Sequence, residues 1–370
     1  MENESLRCYK KLEKMNFFNN DKNLILNYEK EASAIWKDKD DKFSSLNLYG
    51  KILKLSKNIG ESEVYNLENE TGYGKISVYN VFPGIELIYN DIHMEYCNKK
   101  QNIMKDSIEI NHCKEGRYEC SYGDGGCCYI SPGDLSVGSL MKKKTFSNFP
   151  LSHYHGITII LKLQEISEEL SSVLEFLSID LKYIKSFIYD NNRYCVMRAN
   201  ESIEHIFSEL YYVREQRKAG YMKIKVLELL LFLSDLNTEK EVIEVKYYSN
   251  KQVKMAKEVK KFIINDISRH YTISELAKNF NVSASTLKVC FKGVYGSNIY
   301  SYLKSYRLQV AQQLLLESNN TITEIAENIG YENPNKFTSA FKKEYGMSPS
   351  EYRKGILLDR KLFIRSGENH

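Results

Sequence analysis

The N-terminus, Met1 to Lys14, is charged and polar and does not read as a secretory leader. No apolar run is long enough to span a bilayer. With eight cysteines in the chain, these absences lead us to expect a protein of the reducing cytoplasm, with free thiols rather than disulfides and no membrane contact. The signatures of catalysis are missing as well: no nucleophile with its base, no phosphate loop and no paired acid. Gly123-Asp124-Gly125-Gly126 is rich in glycine, but a strand pattern follows it where a phosphate cradle needs a helix, so it reads as a hairpin. The spacing Cys113-x6-Cys120-x6-Cys127 fits no zinc ribbon. We therefore expect no enzyme, no cofactor and no metal.

What the sequence does hold is a stretch that repeats itself. Thr272-Ile273-Ser274-Glu275-Leu276-Ala277 recurs as Thr321-Ile322-Thr323-Glu324-Ile325-Ala326, and Ser283, Leu287, Phe291 and Tyr295-Gly296 then match Asn333, Phe337, Phe341 and Tyr345-Gly346. A repeat of this size is one supersecondary element used twice. Each copy reads as helix-turn-helix. Thr272 with Glu275, and Thr321 with Glu324, have the spacing of a capping box. Ser283 and Asn333 suit the N-cap of a second helix, and Pro334 suits its first position. Leu287, Cys290 and Phe291, or Phe337, Ala340 and Phe341, give that helix a buried face. The outward residues are Ser285, Thr286, Lys288, Val289 and Lys292 in one copy, and Asn335, Lys336, Thr338, Ser339 and Lys342 in the other. Side chains of these kinds read base edges in a major groove, and lysine neutralises phosphate. Between the copies, Ile299, Leu303, Tyr306, Val310 and Leu314 mark one helix over 298–317. Such a rod is about 30 Å long, close to the ~34 Å of one DNA turn.

Residues 250–355 resemble the DNA-binding domain of AraC/XylS-type transcription regulators. The resemblance rests on Ile325-Ala326-Glu327-Asn328-Ile329-Gly330-Tyr331, on Phe337, on Phe341-Lys342-Lys343-Glu344-Tyr345-Gly346-Met347-Ser348-Pro349 and on Tyr352-Arg353. The first copy departs more, offering Ser285, Lys288 and Val289 where the family often carries Arg or Gln. The resemblance implies two helix-turn-helix units, 272–297 and 321–347, that bind double-stranded DNA in two adjacent major grooves. It also implies contact with RNA polymerase if the protein activates transcription.

Charge is divided accordingly. From residue 250 onward, 19 Lys and Arg stand against 11 Asp and Glu, a net +8, and the remaining residues carry −4 of the total of +4. A basic C-terminal module on a slightly acidic body suits a nucleic-acid reader with a regulatory domain.

Residues 1–60 read as an N-terminal extension, with a helix near Leu46 to Leu55. Over 61–163 the pattern changes to short β-branched strands such as Ile76 to Tyr79, Ile85 to Tyr89, Ile108 to Cys113 and Gly156 to Ile160, divided by glycine and proline turns. A sandwich or small barrel follows. The turn Ser131-Pro132-Gly133-Asp134-Leu135 resembles those of the cupin-like sensor domains found in AraC-type regulators. Residues 164–240 return to helical spacing, and Val226 to Leu233 is apolar nearly all round, so it must be buried on most sides. In the family such helices pack on the barrel or pair two subunits, which implies a homodimer. Residues 239–248 read as a linker and 356–370 as a tail. The fold class is α+β and multidomain: a cupin-like β-rich sensor, a central helical segment and an all-α C-terminal domain.

Four histidines (His93, His112, His153, His155) and five cysteines (Cys97, Cys113, Cys120, Cys127, Cys128) fall in the β-rich region. His153 and His155 lie two apart and on a strand share a face. Metal or thiol sensing is one reading. The simpler one is core residues, or the lining of an organic pocket, with His112, Tyr118, Tyr129, His153 and His155 as candidate effector contacts. Together these features imply a transcription regulator responsive to a small-molecule effector. The alternatives are a metal-binding or enzymatic cupin carrying a DNA-binding domain, and a regulator of the same family that needs no effector.

Overall fold

In a computed structural model, residues 52–59, 62–98, 106–121, 126–140, 146–190, 195–213, 217–236 and 247–355 are described. The chain divides into two compact units, one formed by Phe43–Val259 with Ala277–Asn298, the other by Lys260–Leu276 with Ile299–His370.

The first unit is built on two antiparallel sheets. The larger holds β1 (Ile52–Ile59), β2 (Ser62–Asn69), β3 (Gly72–Phe82), β4 (Ile85–His93), β6 (Ser107–Gly116), β9 (Leu135–Ser139), β11 (Tyr154–Lys162) and β12 (Cys195–Met197), in the order β1-β2-β3-β4-β11-β6-β9-β12. The smaller runs β13-β8-β7-β10-β5, with β5 at Tyr96–Asn98, β7 at Tyr118–Ser121, β8 at Gly126–Ile130, β10 at Phe146–Asn148 and β13 at Tyr248–Ser249. The side-chain period of two sorts the residues of β11 between two cores. Ile157, Ile159 and Leu161 join Ile85, Leu87, Ile108 and Ile110 beneath four helices. Tyr154 and Ile160 join Ile76, Ile88, Cys113, Cys120 and Cys128 in the second core. The four helices are α1 (Glu168–Phe176), α2 (Leu181–Asp190), α3 (Glu201–Tyr212) and α4 (Lys218–Ser234).

Several expectations are corrected here. Strand β1 occupies part of the stretch read as a helix near Leu46 to Leu55, and the residues before 52 lie outside the described ones. The last residue read as a linker, Tyr248, begins a strand, Tyr248–Ser249, paired to β8, and 237–246 lies outside the described residues. Over Val226 to Leu233, helix α4 is covered on most sides as expected, with Val226, Leu229, Leu230 and Leu233 buried, Leu227, Glu228 and Phe232 half-buried and Leu231 39% exposed; Ile224, just before that span, is 61% exposed.

The Ser131-Pro132-Gly133-Asp134 turn is closed by the Asp134 carboxylate, which accepts the Ser131 amide at 2.8 Å and pairs with Arg198. Gly133 has φ +85°, and a Cβ there would stand 2.6 Å from that of Ala199. Glycine is required for both reasons.

Further helices among the described residues include α5 (Asn250–Asn265), α6 (Ile273–Asn279), α7 (Ala284–Tyr295), α8 (Ile299–Glu317), α9 (Ile322–Asn328) and α10 (Pro334–Tyr345). In the second unit, α8 to α10 share a core of Leu308, Ala311, Leu315, Ile325, Ile329, Phe337, Phe341 and Tyr352. The buried stripe of α8 is Ile299, Leu303, Arg307, Leu308, Ala311, Gln312 and Leu315, rotated from the expected Tyr306, Val310 and Leu314, which are half-buried. Arg307 lies on this buried stripe. Its guanidinium donates to the carbonyls of Ile267 at 2.6 Å and Arg269 at 3.0 Å, and reaches those of Ser268 and Gly330 at 3.4 and 3.5 Å. A buried cation with this many acceptors ties the turns before α6 and after α9 to the rod.

Candidate nucleic-acid interface

The helices α7 and α10 are built by the same local chemistry. Ser283 caps α7, its hydroxyl accepting the Thr286 amide at 3.1 Å. Asn333 caps α10 by accepting the Asn335 amide at 2.9 Å, and Pro334 takes the first turn. Both helices end on a left-handed glycine, Gly296 at φ +78° and Gly346 at φ +80°, where any side chain would be strained. Each is twelve residues long.

Burial separates the two faces as the spacing predicts. Leu287, Cys290 and Phe291 are buried on α7, and Phe337 and Phe341 on α10. Ser285, Thr286, Lys288, Val289 and Lys292 are exposed, as are Asn335, Lys336, Ser339 and Lys342, while Thr338 is half-buried. Val289 is an apolar side chain left 42% exposed on this face. The hydroxyls of Ser285 and Thr286 lie 2.9 and 2.8 Å from the Ser283 hydroxyl, so the cap engages them.

The preceding helices are not capped alike. Thr321 and Glu324 form the full capping box, side chain to backbone in both directions. In the first copy only half of it is present. The Thr272 hydroxyl accepts the Glu275 amide at 3.2 Å, but the Glu275 carboxylate pairs with Arg269.

A residue that the repeat does not disclose holds α7 from the β-rich region of the same unit. The Arg117 guanidinium donates to the carbonyls of Val294, at 2.8 Å, and Gly293, and to the Ser131 hydroxyl. It also stacks over the Tyr129 ring, 5.2 Å from its centroid. The last carbonyls of a helix lack partners within it, and the helix dipole favours a cation there. Gly293 is needed for this fit, because a Cβ would stand 2.1 Å from the Tyr248 ring. Burial pulls Arg117 below its ordinary pKa, yet it remains a cation. Beside it, buried Glu119 accepts from Tyr129 at 2.8 Å and Asn148 at 2.7 Å, and pairs with Lys257 of α5 at 3.3 Å.

Of the five candidate effector contacts, His112 and His155 meet at Tyr211 and the other three lie apart from them. His112 is buried, stacked on Phe207 at 4.1 Å and 3.0 Å from the Tyr211 hydroxyl, and burial drives its pKa down to about 4. His155 meets the edge of the same Tyr211 ring. Tyr118 packs with Phe149 and Tyr154 in the second core. Tyr129 sits under Arg117, and His153 pairs with His93. The five cysteines of the region are buried thiols. Among the described residues, no group of three or more His, Cys, Asp or Glu could hold a metal, and no helix is long and apolar enough to cross a membrane.

Two copies of a capped helix pair follow a β-rich region, each presenting a polar and basic face, which defines the class as a protein with a duplicated helix-pair module. A family profile described as "Helix-turn-helix domain" matches residues 276–355. The Lactose operon transcription activator of Staphylococcus xylosus is 33% identical over 100 residues, covering 27% of this chain and 36% of that protein. The Transcriptional activator AggR of Escherichia coli is 23% identical over 273 residues, covering 68% of this chain and 96% of that protein. Among solved structures, the C-terminal domain of the two-component response regulator yesN from Fusobacterium nucleatum is 32% identical and covers 26% of this chain and 95% of that one, with a TM-score of 0.25. The match to the Staphylococcus relative thus spans about a third of its length. The C-terminal segment of this chain carries the helix-turn-helix domain of AraC/XylS-type regulators.

Proposed function

We propose that the protein is a sequence-specific DNA-binding transcription regulator in which α7 and α10 enter two adjacent major grooves. The observation that carries this reading is the exposed set on both helices. Each places polar readers near its N-terminus and a lysine (Lys292 or Lys342) further along, over a buried apolar face. Asn335 can both donate to and accept from an adenine edge, Lys336 can reach guanine or phosphate, and Val289 can touch a thymine methyl. Helix α8, at 19 residues and so about 28 Å, is a rod of nearly one DNA turn.

In this reading the β-rich region is cupin-like and receives a small-molecule effector. Support comes from Arg117, through which a change in that region would bear on the first reader. The protein pairs as a homodimer through the apolar residues left open on α4, Ile224 and Leu231. Binding of the full-length protein to duplex DNA, followed by fluorescence anisotropy across a salt series, tests the proposal. Affinity should fall steeply and linearly in log–log form as salt rises, because lysines displace condensed counterions. Absence of duplex binding at low salt would refute it.

A further inference from the structure

We propose that His93 and His153 form a binding site for a divalent first-row transition ion, with Asp91 and Glu115 orienting the two imidazoles. The Nδ1 atoms of the two rings face each other at 3.4 Å. On the far side of each ring stands a carboxylate: Asp91 Oδ1 is 3.0 Å from His93 Nε2, and Glu115 Oε2 is 3.5 Å from His153 Nε2. Strand register produces this arrangement. Asp91 and His93 lie two apart on β4, Glu115 lies on β6, and β11 runs between those strands with Tyr154 opposite both Ile92 and Gly116. His153, just before β11, is thereby brought to the strand ends that carry the other three. Tyr73 stacks on His93 at 5.0 Å and 19°, which fixes that ring further.

The tautomers follow from the partners. An ionised carboxylate only accepts, so each Nε2 must carry the hydrogen, and a neutral imidazole with hydrogen on Nε2 has a bare lone pair on Nδ1. Two bare lone pairs at 3.4 Å repel unless a proton or a metal ion stands between them. A transition ion answers the geometry. At the usual zinc–nitrogen length, two ligands of a tetrahedral centre lie about 3.3–3.4 Å apart. A histidine ligand ordinarily donates its other N–H to a carboxylate, as His93 does to Asp91, while Glu115 stands at ion-pair distance from His153 Nε2. Imidazole suits zinc, copper, iron and nickel. Among the described residues no third protein donor completes the set. The imidazoles are 33% and 34% exposed, so water fills the remaining positions. The carbonyl of His153 accepts the Arg117 amide at 3.3 Å, which places the site beside the residue that holds α7.

The test uses the full-length protein stripped with chelator, titrated with cobalt(II) in the visible and with zinc(II) against a chromogenic chelator. One ion per chain is expected, lost in His93→Ala and in His153→Ala. Asp91→Asn and Glu115→Gln, at side chains 43% and 56% exposed, should weaken affinity by about 10–100-fold. Nitrogen-15 spectra of the zinc-loaded protein should show Nδ1 bound and Nε2 protonated on both rings. No saturable binding, or binding unchanged in His153→Ala, would overturn the site. So would spectra in which the pair shares a proton while zinc is in excess. None of these outcomes touches the DNA-binding reading, which rests on other residues.

Discussion

Replacing Arg117 with Met keeps most of its stem over Tyr129 and removes the cation that holds the end of α7. The guanidinium satisfies two terminal carbonyls, those of Gly293 and Val294. Hydrogen bonds to charged groups contribute about 1.5–3 kcal/mol each. Two of them, partly offset by water reaching the freed carbonyls, set the loss at about 3 kcal/mol. At 1.4 kcal/mol per tenfold, α7 should open from the β-rich region roughly 100-fold more often. Amide hydrogen exchange reads this directly. Peptides covering 284–296 should exchange roughly 100-fold faster in Arg117→Met while those of β4 and β11 keep their protection, since local opening is decoupled from the global transition. Arg117→Lys should not restore protection, because one ammonium cannot span two carbonyls and a hydroxyl as the planar fork does. Gly293→Ala is an independent probe. Alanine favours a helix over glycine by about 1 kcal/mol, yet its methyl would collide with the Tyr248 ring, so α7 should again lose protection. Unchanged exchange over 284–296 in both variants would show that α7 is held by something other than this contact.

Asn335→Ala should cost about 1–3 kcal/mol at one base position of the DNA site, read by competition among single-substituted duplexes. Lys292→Ala and Lys342→Ala should each weaken binding to all sequences and lower the salt slope by about one. Ile224→Asp should shift a dimer to monomer in sedimentation, and a parent already monomeric would remove the pairing proposed for α4. His112, with its pKa lowered to about 4 by burial, titrates at about 6.5 in the unfolded chain. Its contribution is therefore fully present above pH 6.5 and is lost as pH falls toward 4, by about 3 kcal/mol in all. In His112→Gln, chemical denaturation should show a flatter pH dependence across that window, and an identical slope in parent and variant would refute the assignment.

What was legible in the sequence is what local chemistry decides. Ser283, Asn333, Pro334, Gly296 and Gly346 set the bounds of α7 and α10 through contacts a few residues away, and the exposed readers follow from the helical period. What was not legible depends on distant partners. The carbonyls that Arg117 serves lie 176 and 177 residues along the chain. Strands β12 and β13, three and two residues long, exist because β9 and β8 offer an edge, and their own sequence hardly marks them. Arg307 is an intermediate case. It stands four residues from both Leu303 and Ala311, so its burial could have been read from spacing, but its four carbonyl partners could not. The histidines show the same limit: their strands could be named, but the pairing of His153 with His93, and of His155 with Tyr211, needed the register of β4, β11 and β6.

The two copies of the reader share caps and periodicity but not surroundings, and the difference has a physical consequence. The second, α10, shares a core with α8 and α9, where Phe337 and Phe341 meet Leu308, Ala311 and Leu315. Its orientation is set by apolar packing, which responds little to a change in charge or hydrogen bonding elsewhere. The first, α7, has its C-terminal carbonyls held by a guanidinium from the β-rich region, and that guanidinium also engages Ser131 and Tyr129. A hydrogen-bonded cation at a helix end is worth a few kcal/mol, the range in which a bound small molecule can shift an equilibrium between two states. Under the proposed function, a duplicated unit would be regulated through one copy alone, with α10 engaging DNA while the strength of the Arg117 contact sets how firmly α7 is held to the β-rich region.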